Sequence, residues 1–167
     1  MAGLLLIENL TLFLLTIALG RTLVRAFEAR RIVPRADSLT SAELAFAGSC
    51  VLLNTLVTLA GWWLWKKGLI QVRREVGLGA IVDVLVLLMA MDLGMYVTHR
   101  VAHLPLMYKW IHAPHHRYRH PRALTLFVLH PLEVLGFGAL WLLLITLYSA
   151  TSHAAGSSWR IRLADFR

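Results

Sequence analysis

Four apolar stretches free of lysine and arginine divide the chain: Leu4–Gly20, Leu44–Trp65, Leu78–Thr98 and Ala123–Tyr148. Together they take up half of the sequence. A helix of about 20 residues, rising 1.5 Å per residue, crosses the roughly 30 Å hydrocarbon core of a bilayer. The pattern predicts an all-α, multi-pass membrane helical bundle with up to four hydrophobic helices over residues 1–148, followed by a polar, flexible tail over 149–167. The polar connector Arg21–Glu43 holds Pro34 and an Asp37-Ser38 start signal for the second helix. Trp62, Trp63 and Trp65 end the second stretch as an interfacial aromatic belt, closed by Lys66-Lys67-Gly68. The third helical pattern runs past the apolar stretch through Thr98-His99-Arg100 and stops before Pro105, which cannot continue an unkinked helix.

Composition agrees with a membrane protein. Apolar residues are 58% and charged residues 16% of the chain, against roughly 45–50% and about 25% in soluble proteins. That balance excludes a disordered chain and argues against a water-soluble globule. The net charge of +8 comes from 17 Lys and Arg against 9 Asp and Glu, and the basic residues lie between the apolar stretches. There they serve orientation and contact with anionic lipid headgroups. With no zinc-finger spacing or aromatic RNA-binding signature, nucleic acid is not an expected partner. If four helices cross, Arg21, Arg25, Arg30, Arg31 and Arg35 share one side with Arg100, Lys109, Arg117, Arg119 and Arg122. Those ten outnumber the seven basic residues opposite, which makes this the cytosolic side. An alternative arrangement has the second and third stretches as hairpins that do not fully cross. The first apolar run has no preceding Lys or Arg, the reverse of a cleavable signal peptide, so an uncleaved anchor is expected. Cys50 is the single cysteine, which excludes an intrachain disulfide.

The candidate chemistry is in the histidines. Five of the eight cluster between positions 99 and 116: His99, His103, His112, His115 and His116. His99 and His103 are i and i+4 on one helix face, the spacing that two ligands of one metal centre require. His112, His115 and His116 are i, i+3 and i+4, an arc of roughly 100° on a helix. Imidazole suits iron, zinc, copper or nickel. On the third helix, Asp92, Tyr96, His99 and His103 fall within roughly 60° of one another. Asp92 lies at membrane depth, where an ionisable group is by default functional; with Tyr96 it is expected to stand behind the ligands, accepting a hydrogen bond from the other ring nitrogen of a ligand histidine or from Tyr96. Asp83 faces the opposite side and has no expected site role; Asn54 is a candidate partner for it. His130 and Glu133, both costly in lipid, leave two readings open: the far wall of the metal site, or a pair with each other. His120 and His153 are expected in a loop and in the exposed tail. Tyr108, Trp110 and Tyr118 read as interface anchors. A headgroup-binding basic face is the bland alternative for the whole cluster, and its spacing would then be coincidence.

The run from Asp92 through Tyr96, His99-Arg-Val-Ala-His103, Leu-Pro105-Leu-Met-Tyr108-Lys109 and His112-Ala-Pro-His115-His116, followed by His130-Pro131-Leu132-Glu133, resembles the fatty acid hydroxylase/sterol desaturase superfamily. Its sterol C-5 desaturase branch is the most similar in motif. The resemblance extends from Asp92 to Glu133. It implies a non-haem diiron centre on the cytosolic face of an endoplasmic-reticulum membrane. His99 and His103 (HxxxH) with His112, His115 and His116 (HxxHH) would be the iron ligands. It also implies dioxygen-dependent hydroxylation or desaturation of an apolar lipid, a sterol or fatty acyl C–H bond, with electrons from NAD(P)H through cytochrome b5 and its reductase. The superfamily carries a third HxxHH box after the HPxE segment, whereas here only His153 follows His130. The expectation is a chain truncated before that box. Pro114, within the second box, is expected to kink the helix and aim His112 separately from His115 and His116. Two rivals remain: a non-catalytic relative that keeps the helices, and a metal-binding transport element.

Overall fold

Residues 1–32, 34, 38–71, 77–118 and 122–154 are described in a computed structural model, whose regular structure is all helical, with no strand among them. Four long helices, α1 (Ala2–Ala26), α2 (Ser41–Lys66), α3 (Leu78–Ala102) and α6 (Pro131–Ala154), are each long and apolar enough to cross a membrane. Between α3 and α6 lie a short turn, α4 (Pro105–Met107), a π-helix (Tyr108–His112), the short α5 (Ala113–His116) and a 3-10 segment (Ala123–Phe127).

Helix boundaries have local causes. The second helix starts at a capping box rather than at Asp37-Ser38. The Thr40 hydroxyl accepts from the Glu43 N–H at 3.2 Å, and Glu43 Oε2 accepts from the Thr40 N–H at 2.9 Å. Asp37 itself lies outside the described residues. Leu104, extended ahead of Pro105 (φ −61°, ψ 142°), ends α3 where the sequence pattern stops it. The fourth apolar stretch divides in two. Its first residues form the 3-10 segment, and Pro131 opens α6 afterwards. The last helix also continues beyond Tyr148 to Ala154, into the stretch expected as a tail, where the buried Ser149 hydroxyl accepts from the Gln71 N–H at 3.0 Å. The rest of that stretch, 155–167, is outside the described residues.

α6 packs against α2 and α3, and α1 packs against α2. Gly138 and Gly94 permit the close approaches. A Cβ at Gly138 would collide with the Val57 side chain, and one at Gly94 would sit 2.9 Å from Leu140. Contacts Val57–Gly138 and Gly61–Leu142 run α2 and α6 parallel, while Gly94–Leu140 and Asp83–Tyr148 run α3 antiparallel to α6. One end of the bundle therefore gathers the C-terminus of α3 and the N-termini of α2 and α6. Arg122 fastens that end: its guanidinium donates to Glu43 Oε2 at 3.3 Å and to the Ser38 carbonyl at 3.2 Å. Phe127 packs edge-on against Phe13 of α1, with ring centroids 4.7 Å apart. Glu43 is fully buried in this tie.

The outward surface is apolar. No residue of α3 is buried, and only Leu5 is in α1. Such helices are stable in hydrocarbon, where the backbone satisfies its own hydrogen bonds. At the opposite end, Lys66 lies 5.9 and 5.5 Å from the Trp62 and Trp65 rings, and Lys67 5.7 Å from Trp63, as interfacial anchors require. Asp83 does not pair with Asn54. Its carboxylate accepts from the Tyr148 hydroxyl at 2.6 Å, across 65 residues of sequence.

Candidate metal centre

The site forms where the C-terminus of α3 meets the π-helix. At the end of α3, His99 and His103 are one turn apart, and their Nε2 atoms lie 3.2 Å from each other. After Leu104 the chain turns back through Pro105 into the π-helix, whose wide turn is marked by the Ala113 N–H donating to the Tyr108 carbonyl. Pro114 gives a reason for that turn. A proline within an α-helix lacks an N–H and clashes with the carbonyl four residues earlier, and a π-turn ahead of it relieves both. The outcome differs from a kink that separates the histidines. His112 and His116 converge instead, with Nε2 atoms 2.8 Å apart.

The two pairs meet as one cluster. The His99 and His112 rings lie edge-on with centroids 4.6 Å apart, and His103 lies 4.8 Å from His112 and 5.1 Å from His116. One ring nitrogen from each of the four falls within 4.8 Å of all the others. Donors held at about 2 Å from a common ion lie roughly 3–4 Å apart, so small inward shifts of these rings would bring the four imidazoles around a metal ion. The backbone of His115 belongs to α5, but its side chain lies outside the described residues, as does His120 entirely; the side chain of His153 is likewise not described.

Glu133 sets the chemistry of this cluster. Its Oε1 lies 2.5 Å from His112 Nδ1, and both residues are buried, at 7% and 1% exposure. The carboxylate holds the proton on Nδ1 and leaves the Nε2 lone pair turned into the cluster. This is the carboxylate–imidazole arrangement that orients metal-bound histidines and raises their basicity. Glu133 Oε2 meanwhile accepts from the His130 N–H at 3.1 Å, and His130 Nδ1 accepts from the Leu132 N–H at 3.2 Å. His130 and Glu133 thus cap the first turn of α6 together, much as a capping box does, with imidazole in place of hydroxyl. Glu133 thus reaches both the His112 ring and the His130 backbone, while the His130 ring serves the helix end.

Asp92 and Tyr96 are not brought to the cluster as supports. The shared face is real, but Asp92 is two helical turns before His99, about 10 Å along the axis, beyond a carboxylate's reach. It is exposed, with no hydrogen bond among the described residues. The Tyr96 hydroxyl accepts from Arg100 at 2.8 Å. The aromatic residue that does reach the site is Tyr108. Its ring stacks on His103 at 5.6 Å and lies 5.8 Å from His116 and 6.1 Å from His112. A sequence signal existed, since Tyr108, His112 and His116 recur at intervals of four.

Residues 84–163 match the fatty acid hydroxylase family model. A Delta(7)-sterol 5(6)-desaturase of Aspergillus fumigatus is 43% identical over 42 residues, 25% of this chain and 13% of that protein. A fatty acid hydroxylase of Mycosarcoma maydis is 35% identical over 86 residues, 50% of this chain and 22% of that protein. A Delta(7)-sterol 5(6)-desaturase of Gibberella zeae is 40% identical over 42 residues, again 25% and 13%. The matched segment spans less than a quarter of the length of each of these relatives. No solved structure matches the chain.

Proposed function

We propose that this chain, whose residues 84–163 match the fatty acid hydroxylase family model, is a membrane-embedded non-haem iron oxidoreductase of the fatty acid hydroxylase/sterol desaturase superfamily. Its substrate would be the unactivated C–H bond of a sterol or fatty acyl lipid, hydroxylated or desaturated. The observation that carries this reading is the Nε2 of His112, turned by the buried Glu133 into a cluster with three further imidazoles. His99, His103, His112 and His116, together with His115 of the same motif, would hold the iron, as two ions in the superfamily's pattern. Iron, when bound, supplies dioxygen-dependent oxidation of a carbon that carries no activating group.

The chain's own residues do the rest. Glu133 keeps the proton at His112 Nδ1 and fixes the ring plane. Tyr108 walls the cluster against His103 and His116. The surrounding helices, apolar over nearly their whole surface, admit a lipid directly from the bilayer. Basic residues at the same end, Arg100, Lys109 and Arg117 among them, support a cytosolic orientation at the endoplasmic reticulum. They equally support an acidic electron donor, cytochrome b5 supplied from NAD(P)H by its reductase.

The test is metal content and turnover. The full chain, purified from membranes of cells grown with iron, is expected to hold iron that His112→Ala loses, and to convert a sterol or fatty acyl lipid when given dioxygen and reductant. Equal metal content in the two proteins, or zinc bound tightly with no dioxygen consumption, would overturn the proposal.

A further inference from the structure

We propose that a cavity bounded by α1, α2, α3 and α6 binds a lipid through a neutral hydroxyl group, which donates its one hydrogen bond to the side-chain oxygen of Asn9 or of Asn54. The cavity has a volume of about 340 Å³. Asn9 of α1 and Asn54 and Thr58 of α2 supply its polar wall; the remainder is apolar, including Met91 of α3 and Phe137 and Trp141 of α6. The inference deepens the lipid-oxidising reading and rests on it for the relevance of the bound lipid to the reaction.

The hydrogen bonds within this wall use both N–H groups of Asn9 and one of Asn54, and leave both amide oxygens over. Asn9 Nδ2 donates to the Leu5 carbonyl at 2.9 Å and to Thr58 Oγ1 at 3.3 Å. The Thr58 hydroxyl donates to the Asn54 backbone carbonyl at 2.8 Å, and Asn54 Nδ2 reaches Cys50 Sγ at 3.6 Å. Neither Asn9 Oδ1 nor Asn54 Oδ1 receives a hydrogen bond among the described residues. Both residues lie in membrane-spanning helices, and Asn54 is three turns beyond Glu43, about 16 Å from the capped end of α2. Amide oxygens at that depth are costly without a donor.

The walls also select the donor. They contain no carboxylate, amine, guanidinium or imidazole. An ammonium ligand would find no counter-charge, and a carboxylate would face two further acceptors. A hydroxyl donates one hydrogen bond and leaves the rest of the ligand to apolar contact. The volume lies at the lower end of the range typical of ligand pockets, so the cavity takes the hydroxyl-bearing part of a larger molecule. Two features connect it with the metal centre and with a route for the remainder. Leu129 and Val134, in its wall, flank the His130–Glu133 turn that holds His112. Val57, Thr58 and Trp141 are shared with a second apolar cavity of about 330 Å³ that extends towards Trp62 and Trp65.

The experiment uses the full chain in phosphatidylcholine vesicles, without iron or reductant. It is irradiated with hexadecanol carrying a mid-chain diazirine, or with the methyl ether of the same probe, and adducts are mapped by mass spectrometry. The alcohol is expected to label Val57, Phe137 and Trp141 about five-fold more than the ether, the ratio that one net hydrogen bond gives. Asn54→Leu and Asn9→Leu are each expected to reduce that preference, with Asn54→Gln retaining part of it. Reading two separate positions keeps the test valid if one variant fails to fold. Equal labelling by alcohol and ether, or a preference unchanged in both leucine variants, overturns the inference. Because labelling needs no metal, lost iron binding with retained labelling would overturn only the proposed function.

Discussion

The two histidine pairs use the same i, i+4 spacing and are held in different ways. His99 and His103 sit on the last turn of a regular α-helix with exposed side chains, and helix geometry alone brings their Nε2 atoms to 3.2 Å. His112 and His116 sit across a π-helix and a proline-containing turn, and His112 is buried against Glu133, which comes from a later helix. A pair within one helix needs nothing beyond its spacing. Bringing a second pair to it from another segment requires an anchor, and a buried carboxylate serves because it fixes position and tautomer together. The first pair is therefore a local feature of the sequence, and the second a feature of the tertiary fold.

Substituting one histidine from each pair should break the comparison most sharply. His112→Ala and His99→Ala should each lower metal affinity by 100-fold or more, measured by chelator competition. Only His112→Ala should also destabilise the bundle, by about 3 kcal/mol, because it leaves the Glu133 carboxylate buried without its partner. Thermal unfolding in detergent separates the two variants, and equal losses of stability would show that the pairs are held alike. Removing the anchor comes next in size. Glu133→Ala should weaken metal binding about 10–100-fold, the range for loss of a carboxylate behind a ligand histidine. Glu133→Gln should lose less, since its amide oxygen still accepts from Nδ1–H. Tyr108 tests the wall over His103: Tyr108→Leu should weaken binding several-fold, about the worth of one aromatic contact, whereas Tyr108→Phe should stay within about two-fold. The smallest effect belongs to Asp92→Asn, for which unchanged metal affinity and stability are expected by the same two measurements.

Much of the architecture was legible because hydrophobicity is a property of segments. The first three stretches predict α1, α2 and α3 to within a few residues at most ends. The fourth shows the limit. Ala123–Phe127 continues the apolar run, yet it forms a separate 3-10 segment packed on α1 and α2, with Pro131 opening the helix that follows. Ligand spacing was legible for the same reason as helices, since i, i+4 is local. Asp92 misled because a helical projection preserves angle and discards rise. Glu133 could be singled out as a costly intramembrane carboxylate, but its role depended on which ring it met. The Asp83–Tyr148 hydrogen bond, joining residues 65 apart, had no local signature at all.

The π-helix carries a consequence for register. A π-turn amounts to one extra residue inserted into an α-helix, and each such residue rotates everything after it by about 100°. Removing a single residue there, Trp110 for example, would force α-helical winding on the segment, against the clash that Pro114 then makes, without altering any histidine. His112 and His116 would keep their mutual spacing, yet their common face would swing by that angle relative to His99 and His103. The length of the segment from Tyr108 to His112 is thus as much a part of the centre as the imidazoles, and it tolerates substitution far better than deletion.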